Sequence, residues 1–291
     1  MNKLVKKVLI LGANGMAGHS IAKGLQMDDE YEVIAVARSH GNIAPTVLLD
    51  VSDFENLIDL INDIKPKVII NCVGILNSSA EMYPSKAILI NSYLPHFLES
   101  ITEDTDTKII HISTDCVFSG KDGLYIEDAF KDGSSYYAKS KALGELENGK
   151  DLTIRTSIIG PDLNPRGIGL FNWFIQQKGI INGYTETYWT GITTLELMHA
   201  IKFAIREDLV GLYHLVNNQS ISKYELLCML NDTFNKGLDI RPCNKVKQDK
   251  SLVNTRKDFS YNVRSYEEMI SEMKIWIEDN YDLYPHYINH C

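Results

Sequence analysis

Five short runs in the first half of the chain, at 8–11, 32–37, 47–49, 67–71 and 108–113, are rich in Val and Ile and apolar on both faces. A strand with one wet face alternates apolar and polar residues. Runs like these instead predict strands covered on both sides, as in a parallel sheet between two layers of helices. Segments of helical period separate them, at 16–26, 54–64, 84–101 and 136–148. Asp53 is placed to cap the second helix, and Pro84 suits the first turn of the third. Runs at 152–155 and 211–216 read as two further strands. Strand and helix in alternation mean a doubly wound α/β sheet.

After residue 159 the rhythm changes. The stretch 160–169 holds two Pro and three Gly and reads as loop, and 171–177 reads as a short helix. From 217 onward the chain is mixed and more aromatic, with no regular strand–helix rhythm. The expected division is a sheet domain over 1–160, to which 188–216 returns, and a smaller C-terminal lobe from 161–187 and 217–291.

Composition excludes several function classes. A net charge of −9 argues against a nucleic-acid partner, because phosphate backbones want a basic face. The five cysteines (Cys72, Cys116, Cys228, Cys243 and Cys291) are odd in number, widely spaced and without a C-x-x-C, so neither a disulfide framework nor a zinc site is expected. Reduced thiols point to the cytoplasm. The basic start at 1–7 with the apolar run 8–11 imitates a signal peptide, but the run is too short and passes straight into a glycine loop. No apolar run approaches a membrane span.

The glycine loop, Gly12-Ala13-Asn14-Gly15-Met16-Ala17-Gly18, follows a predicted strand and opens a predicted helix, the context a dinucleotide fingerprint requires. Glycines let the backbone approach a pyrophosphate, and the helix N-terminus offers free N–H groups to its charge. The spacing is G-x-x-G-x-x-G. At the end of the second strand a carboxylate would select the ribose 2′-hydroxyl of NADH. Arg38 stands there instead, with Ser39 as a second donor, and favours the 2′-phosphate of NADPH. Asp50 and Val51 end the third strand and border the adenine. Cys72, Val73 and Gly74 follow the fourth, where small residues leave room for the dinucleotide.

Tyr137 and Lys141 stand four residues apart on a predicted helix and so share a face. A cation held near a phenol favours the phenolate and lowers its pKa, which would let the pair move a proton near neutral pH. Tyr136 is the rival, three residues from Lys139.

These pieces together resemble the extended short-chain dehydrogenase/reductase family, most closely its dTDP-4-dehydrorhamnose reductase group. The resemblance rests on Gly12–Gly18, Ile112-Ser113-Thr114-Asp115-Cys116-Val117-Phe118, Tyr137–Lys141 with Gly144-Glu145, and Arg155-Thr156-Ser157. Weaker echoes are Asn91, which the resemblance places among the cofactor contacts, and Gly211–Val216 followed by Ser220–Leu226. It implies a Rossmann-type sheet with a smaller substrate lobe, and NADPH-dependent reduction of the C4 keto group of a 4-keto-6-deoxy nucleotide sugar in deoxysugar and cell-surface polysaccharide synthesis. Thr114 would hydrogen-bond the carbonyl, Tyr137 would protonate its oxygen, and Lys141 would depress the Tyr137 pKa and bind the nicotinamide ribose. Arg166, Trp173, Trp189 and Arg256 are the expected diphosphate or base contacts, with Asp115 and Cys116 nearer the sugar. The reductases usually carry Arg-Pro where this chain has Arg256-Lys257. A homodimer is left open.

Tyr137 and Lys141 are common to reductases, dehydratases and epimerases of this fold, so the neighbouring residue discriminates. Dehydratases of the family carry a Glu after Thr-Asp. Cys116 stands there, and a neutral thiol is a poor base. The epimerase/reductase GDP-fucose synthase resembles this chain in having a Cys, but it also needs a His after the Arg-Thr strand, and none occurs between Ser157 and Trp189. Regulatory subunits that bind dinucleotide without turnover, such as the methionine adenosyltransferase β subunit, form the alternative of another class.

Overall fold

The computed structural model describes residues 5–41, 43 and 46–287. Cys291 and the first four residues of the basic start lie outside them. The chain begins β1 (Lys6–Leu11), α1 (Met16–Gln26), β2 (Tyr31–Ala37), β3 (Thr46–Leu48), α2 (Phe54–Ile64) and β4 (Val68–Asn71). Three short helices follow, α3 (Asn77–Met82), α4 (Pro84–Ala87) and α5 (Leu94–Thr102), with a π-helical stretch at Ile88–Tyr93 joining the last two. Next come β5 (Lys108–Thr114), a 3₁₀ turn (Asp115–Val117), α6 (Tyr136–Leu143), β6 (Leu152–Thr156), β7 (Ile158–Ile159) and α7 (Leu170–Ile175). The chain continues through β8 (Ile180–Trp189), β9 (Ile192–Thr193), α8 (Thr194–Arg206) and β10 (Gly211–His214). It ends with β11 (Ile221–Ser222), α9 (Lys223–Thr233), β12 (Asp239–Asp249) and α10 (Tyr266–Asp279).

The large sheet runs β10-β6-β5-β4-β1-β2-β3, every pair parallel. The apolar runs are continuous because both faces are covered. Val8, Ile10, Ile70 and Ile110 belong to a core with Ile21 and Leu25 of α1 and Leu197 and Ile201 of α8. Leu9, Leu11, Ile69 and Ile109 join Leu57 and Ile61 of α2 and Leu94 and Leu98 of α5 in a second core. Each such side chain contributes about 1.5–3 kcal/mol by leaving water. Between β1 and β4 the strand order reverses, which opens a crevice at their carboxyl ends. The glycine loop leaves Leu11 at that point, and Leu11 lies opposite Asn71 in the register.

A second sheet, β11-β8-β12, is built from the later residues, with β8 and β12 parallel. Residues 194–214 return to the large sheet, where α8 packs on α1 and β10 forms the edge beside β6. Asp53 caps α2 by accepting from the Asn56 N–H at 3.3 Å, and Pro84 occupies the first turn of α4.

Three expectations about elements are corrected. The expected 84–101 helix is broken into pieces around the π-helical stretch. The helix expected over 136–148 stops at Leu143, because Gly144 lies against the Asn91 carbonyl oxygen, 1.8 Å from where a Cβ would sit. The tail beyond 217 is regular: it carries α9, β12 and α10. β12 has no apolar period because most of its side chains are exposed. Cys72, Cys116, Cys228 and Cys243 are free thiols. Among the described residues no helix is long and apolar enough to cross a membrane.

Candidate active site

Gly12 turns the chain out of β1 at φ +81°, a conformation that favours glycine. The Gly15 N–H closes the loop by donating to the Gly12 carbonyl at 2.9 Å. A Cβ on Gly18 would sit 2.2 Å from that same oxygen, so Gly18 lets the first turn of α1 lie directly on the loop. Beside it opens a cleft of about 290 Å³. Gly12, Asn14 and Gly15 line one wall, Arg38, Ser39, Asp50 and Val51 the ends of the second and third strands, and Cys72, Val73 and Gly74 the end of β4.

Asn14 donates its Nδ2 to the Ser39 carbonyl at 2.8 Å. Its Oδ1 is buried and has no partner among the described residues. A glycine cradle and an acceptor awaiting a donor fit a dinucleotide. Met16 and Gly18 stand outside the lining. Met16 Sδ instead approaches Gly169, so the 160–169 loop comes back beside the glycine loop. The Asp50 carboxyl is held below its ordinary value, chiefly by the Ser52 N–H and hydroxyl, with Arg38 and Lys86 helping. Lys86, on α4, also lines the cleft. Nothing in the sequence separates it from an ordinary solvated helix lysine.

Asn91 is not a cleft residue. Its Oδ1 accepts from the Ile75 N–H at 2.8 Å, and its Nδ2 donates to the Ile75 carbonyl at 2.9 Å and the Ser140 hydroxyl at 3.0 Å. It is a strut between the loop after β4 and helix α6. The buried π-helical turn aims its amide at the protein.

Thr114 ends β5 and caps the 3₁₀ turn, its Oγ1 accepting from the Cys116 N–H at 3.1 Å. The Ser135 hydroxyl caps α6 and aims its first residues. Tyr136 is 48% exposed on the outer face, its N–H donating to Glu81 at 2.7 Å. Tyr137 turns inward beside Thr114, Cys116 and Asp115. Burial, and then the Cys116 and Asp115 charges, push the phenol above its ordinary value, with Thr114 acting the other way. The expectation of a depressed phenol is therefore overturned in this structure. Lys141 does share the helix face, but its chain bends away. Its Nζ lies 2.7 Å from the Ile112 carbonyl and 3.1 Å from His111 Nε2. Burial, with the Asp115 charge helping, also pushes the Cys116 thiol up to about 11, so it is neutral near pH 7.

On the far side of the 3₁₀ turn, Lys223 opens α9 behind the Ser222–Glu225 capping box. Its Nζ sits 4.8 Å from the centre of the Trp189 ring. Burial lowers the amine to about 8, while the charge of Asp115 acts the other way. Lys223 thus stands with Asp115 and Cys116, although its sequence position gave no signal beyond a helix start. Arg166 and Trp173 are exposed, on the loop and helix that approach the glycine loop. Two expected substrate contacts are corrected. Trp189 is only 3% exposed, donates to Ser157 Oγ at 2.8 Å, and is covered by Lys223 and Tyr266, so it has no free face for a base. Arg256 stacks on Tyr213 at 4.3 Å and pairs with Asp258 at 2.7 Å. It borders Gly211, at the amino end of β10, opposite the end that carries Thr114.

A family model described as the RmlD substrate binding domain matches residues 6–159. The dTDP-4-dehydrorhamnose reductase of Aggregatibacter actinomycetemcomitans is 28% identical over 238 residues, 78% of each chain. Methionine adenosyltransferase 2 subunit beta of Xenopus laevis is 24% identical over 244 residues, 79% of this chain and 72% of its own. Among solved structures, the dTDP-4-dehydrorhamnose reductase of Bacillus anthracis in complex with NADP superposes with a TM-score of 0.79 at 21% identity, over 94% of this chain and 99% of that one. A hypothetical dTDP-4-dehydrorhamnose reductase of Sulfolobus tokodaii does so at 0.73 and 29% identity, over 84% and 91%.

Proposed function

This chain belongs to the RmlD substrate binding domain family, and from that premise we propose that it reduces the C4 keto group of a 4-keto-6-deoxy nucleotide sugar with NADPH, in deoxysugar synthesis. It is an oxidoreductase of the extended short-chain dehydrogenase/reductase type. The observation that carries the finer reading is the inward Tyr137 phenol beside Thr114 at the carboxyl end of β5, on the same sheet edge as the glycine cradle.

A reduced nicotinamide dinucleotide in the cleft supplies the hydride. Gly12, Asn14 and Gly15 would hold its phosphates, and Arg38 and Ser39 its 2′-phosphate. As negative charge builds on the substrate oxygen, the Thr114 hydroxyl donates to it and Tyr137 gives up its proton. Burial suits this role, because it keeps Tyr137 protonated until the alkoxide forms. Lys223 adds a cation on the sugar side of the turn, near Asp115. Cys116, held neutral, is not the base of a dehydratase.

The test is a panel of 4-keto-6-deoxy sugar nucleotides followed by NADPH absorbance. Turnover is expected on at least one, and Tyr137→Phe should lower kcat by about 10²–10⁴-fold with NADPH binding kept. Deuterium entering C3 or C5 during turnover would instead favour the epimerase/reductase and give Cys116 a chemical role. A second reading, a dinucleotide-binding subunit without turnover, has two observations in its favour. One is the similarity to the methionine adenosyltransferase 2 subunit beta, and the other is Lys141 turned away from Tyr137. Tight NADPH binding with no turnover on the whole panel would select it.

A further inference from the structure

Lys141 ends in a buried hydrogen-bond chain whose protons can be counted. Its Nζ lies 3.1 Å from His111 Nε2 and 2.7 Å from the Ile112 carbonyl oxygen. On the other side of the imidazole, His111 Nδ1 lies 3.2 Å from Asn71 Nδ2. The Asn71 amide cannot be turned over, because its Oδ1 accepts from the Val73 N–H at 3.2 Å. A flipped amide would set NH₂ against N–H. Asn71 Nδ2 therefore donates to His111, and Nδ1 carries no hydrogen.

His111 is fully buried, and burial holds it well below its ordinary value, so the ring is neutral. A neutral imidazole has one N–H. With Nδ1 bare, that hydrogen sits on Nε2 and points at the Lys141 nitrogen. An ammonium has no lone pair to receive it, but a neutral amine does. The amine then spends one of its own N–H bonds on the Ile112 carbonyl, and every proton in the chain is placed.

The geometry points to His111 as a positioning residue that parks Lys141, as the neutral amine, off Tyr137 until a dinucleotide draws it out. This rests on the reading that Lys141 serves a bound dinucleotide at the ribose. The groups facing the amine are His111 from β5, Cys72 after β4, and Glu145 just past α6. Burial brings the amine down to about 8 against the pull of Glu145 and Cys72. Leaving the pocket for ribose hydroxyls makes it an ordinary ammonium. The added proton comes from solvent, and His111 keeps its own.

Two measurements test this. Long-range ¹⁵N–¹H spectra of the cofactor-free protein, with the His111 ring assigned by its loss in His111→Gln, should show a neutral Nε2–H ring at pH 9, where the amine is neutral. An Nδ1–H ring would overturn the proposal. Calorimetry of NADPH binding in buffers of different ionisation enthalpy should show uptake of close to one proton at pH 9 and about a tenth of one at pH 7. His111→Gln offers an amide oxygen to an ammonium, and its uptake at pH 9 should vanish while its melting temperature certifies the fold. Binding without uptake in the parent, or with unchanged uptake in a folded His111→Gln, would overturn the parking. Absence of any NADPH binding strikes the dinucleotide reading itself, and the ring spectrum still decides the tautomer.

Discussion

Arg38, Ser39 and Lys86 put two cations and a hydroxyl at one corner of the cleft, close to Asp50. A 2′-phosphate there would gain charge-assisted bonds of about 1.5–3 kcal/mol. Arg38→Ala is therefore expected to weaken NADPH binding by about 10- to 100-fold and NADH binding by less than about twofold. Fluorescence titration of both cofactors checks this, and an equal loss for the two would mean that Arg38 does not read the phosphate. The residue type and its place at a strand end made Arg38 legible in the sequence. Lys86 was not, because its distance from Arg38 depends on how α4 crosses the sheet edge. Trp189 and Arg256 were misjudged for a related reason. Residue type says that a side chain can stack or pair, but only the packing shows that Tyr266, Lys223, Tyr213 and Asp258 already occupy them.

At the scale of elements, the site depends on where α6 lies, since it carries both Tyr137 and Lys141. The helix is tied to the π-helical stretch by Ser92 Oγ donating to the Ser140 carbonyl at 2.7 Å and by Asn91 donating to Ser140 Oγ. It ends where Gly144 meets the Asn91 carbonyl. Backbone cannot yield as a side chain can, so Gly144→Ala should destabilise the fold by about 1–3 kcal/mol and lower turnover. Leu143→Ala, at a position 66% exposed, is the control and should change the melting temperature little. An unchanged melting temperature in Gly144→Ala would show that α6 is free to shift. Unbroken apolar runs made the sheet strands readable, and helical period did the same for α1 and α2. β12 left no trace because it is mostly exposed, and the break in 84–101 falls where Pro95 opens α5 without an N–H to give and where the π-helical stretch meets α6.

At the scale of the molecule, three histidines among the described residues are buried in the neutral form and join distant segments. Burial lowers His19 and His214 to about 4, against the Gly15 carbonyl for His19 and mainly Glu127 for His214, and holds His111 well below its ordinary value. His19 Nε2 meets the Tyr284 hydroxyl at 2.7 Å, which ties α1 to the C-terminal segment. His214 Nε2 accepts from Arg155 at 3.1 Å and its Nδ1 donates to the Val253 carbonyl at 3.0 Å. Their folded pKa values lie below that of an unfolded His, so their contribution is complete above about pH 6.5. Below that the unfolded chain binds protons that the folded one refuses, and stability falls as pH drops toward 4. Urea midpoints at pH 7.0, 5.5 and 4.5 should decline in that order, and a flat profile would contradict buried neutral rings.

The sequence alone determined the covered parallel sheet, the glycine loop at its switch point and the candidate groups Thr114, Tyr137 and Lys141. These follow from local composition, from unbroken apolar runs and from the helical period of 3.6 residues, which need no knowledge of distant contacts. Tertiary structure decided where those groups point. Lys141 shares a helix face with Tyr137 as the spacing requires, yet its amine is claimed by His111, thirty positions earlier. A four-carbon side chain reaches whatever acceptor the neighbouring strand presents, and only the fold decides which strand that is.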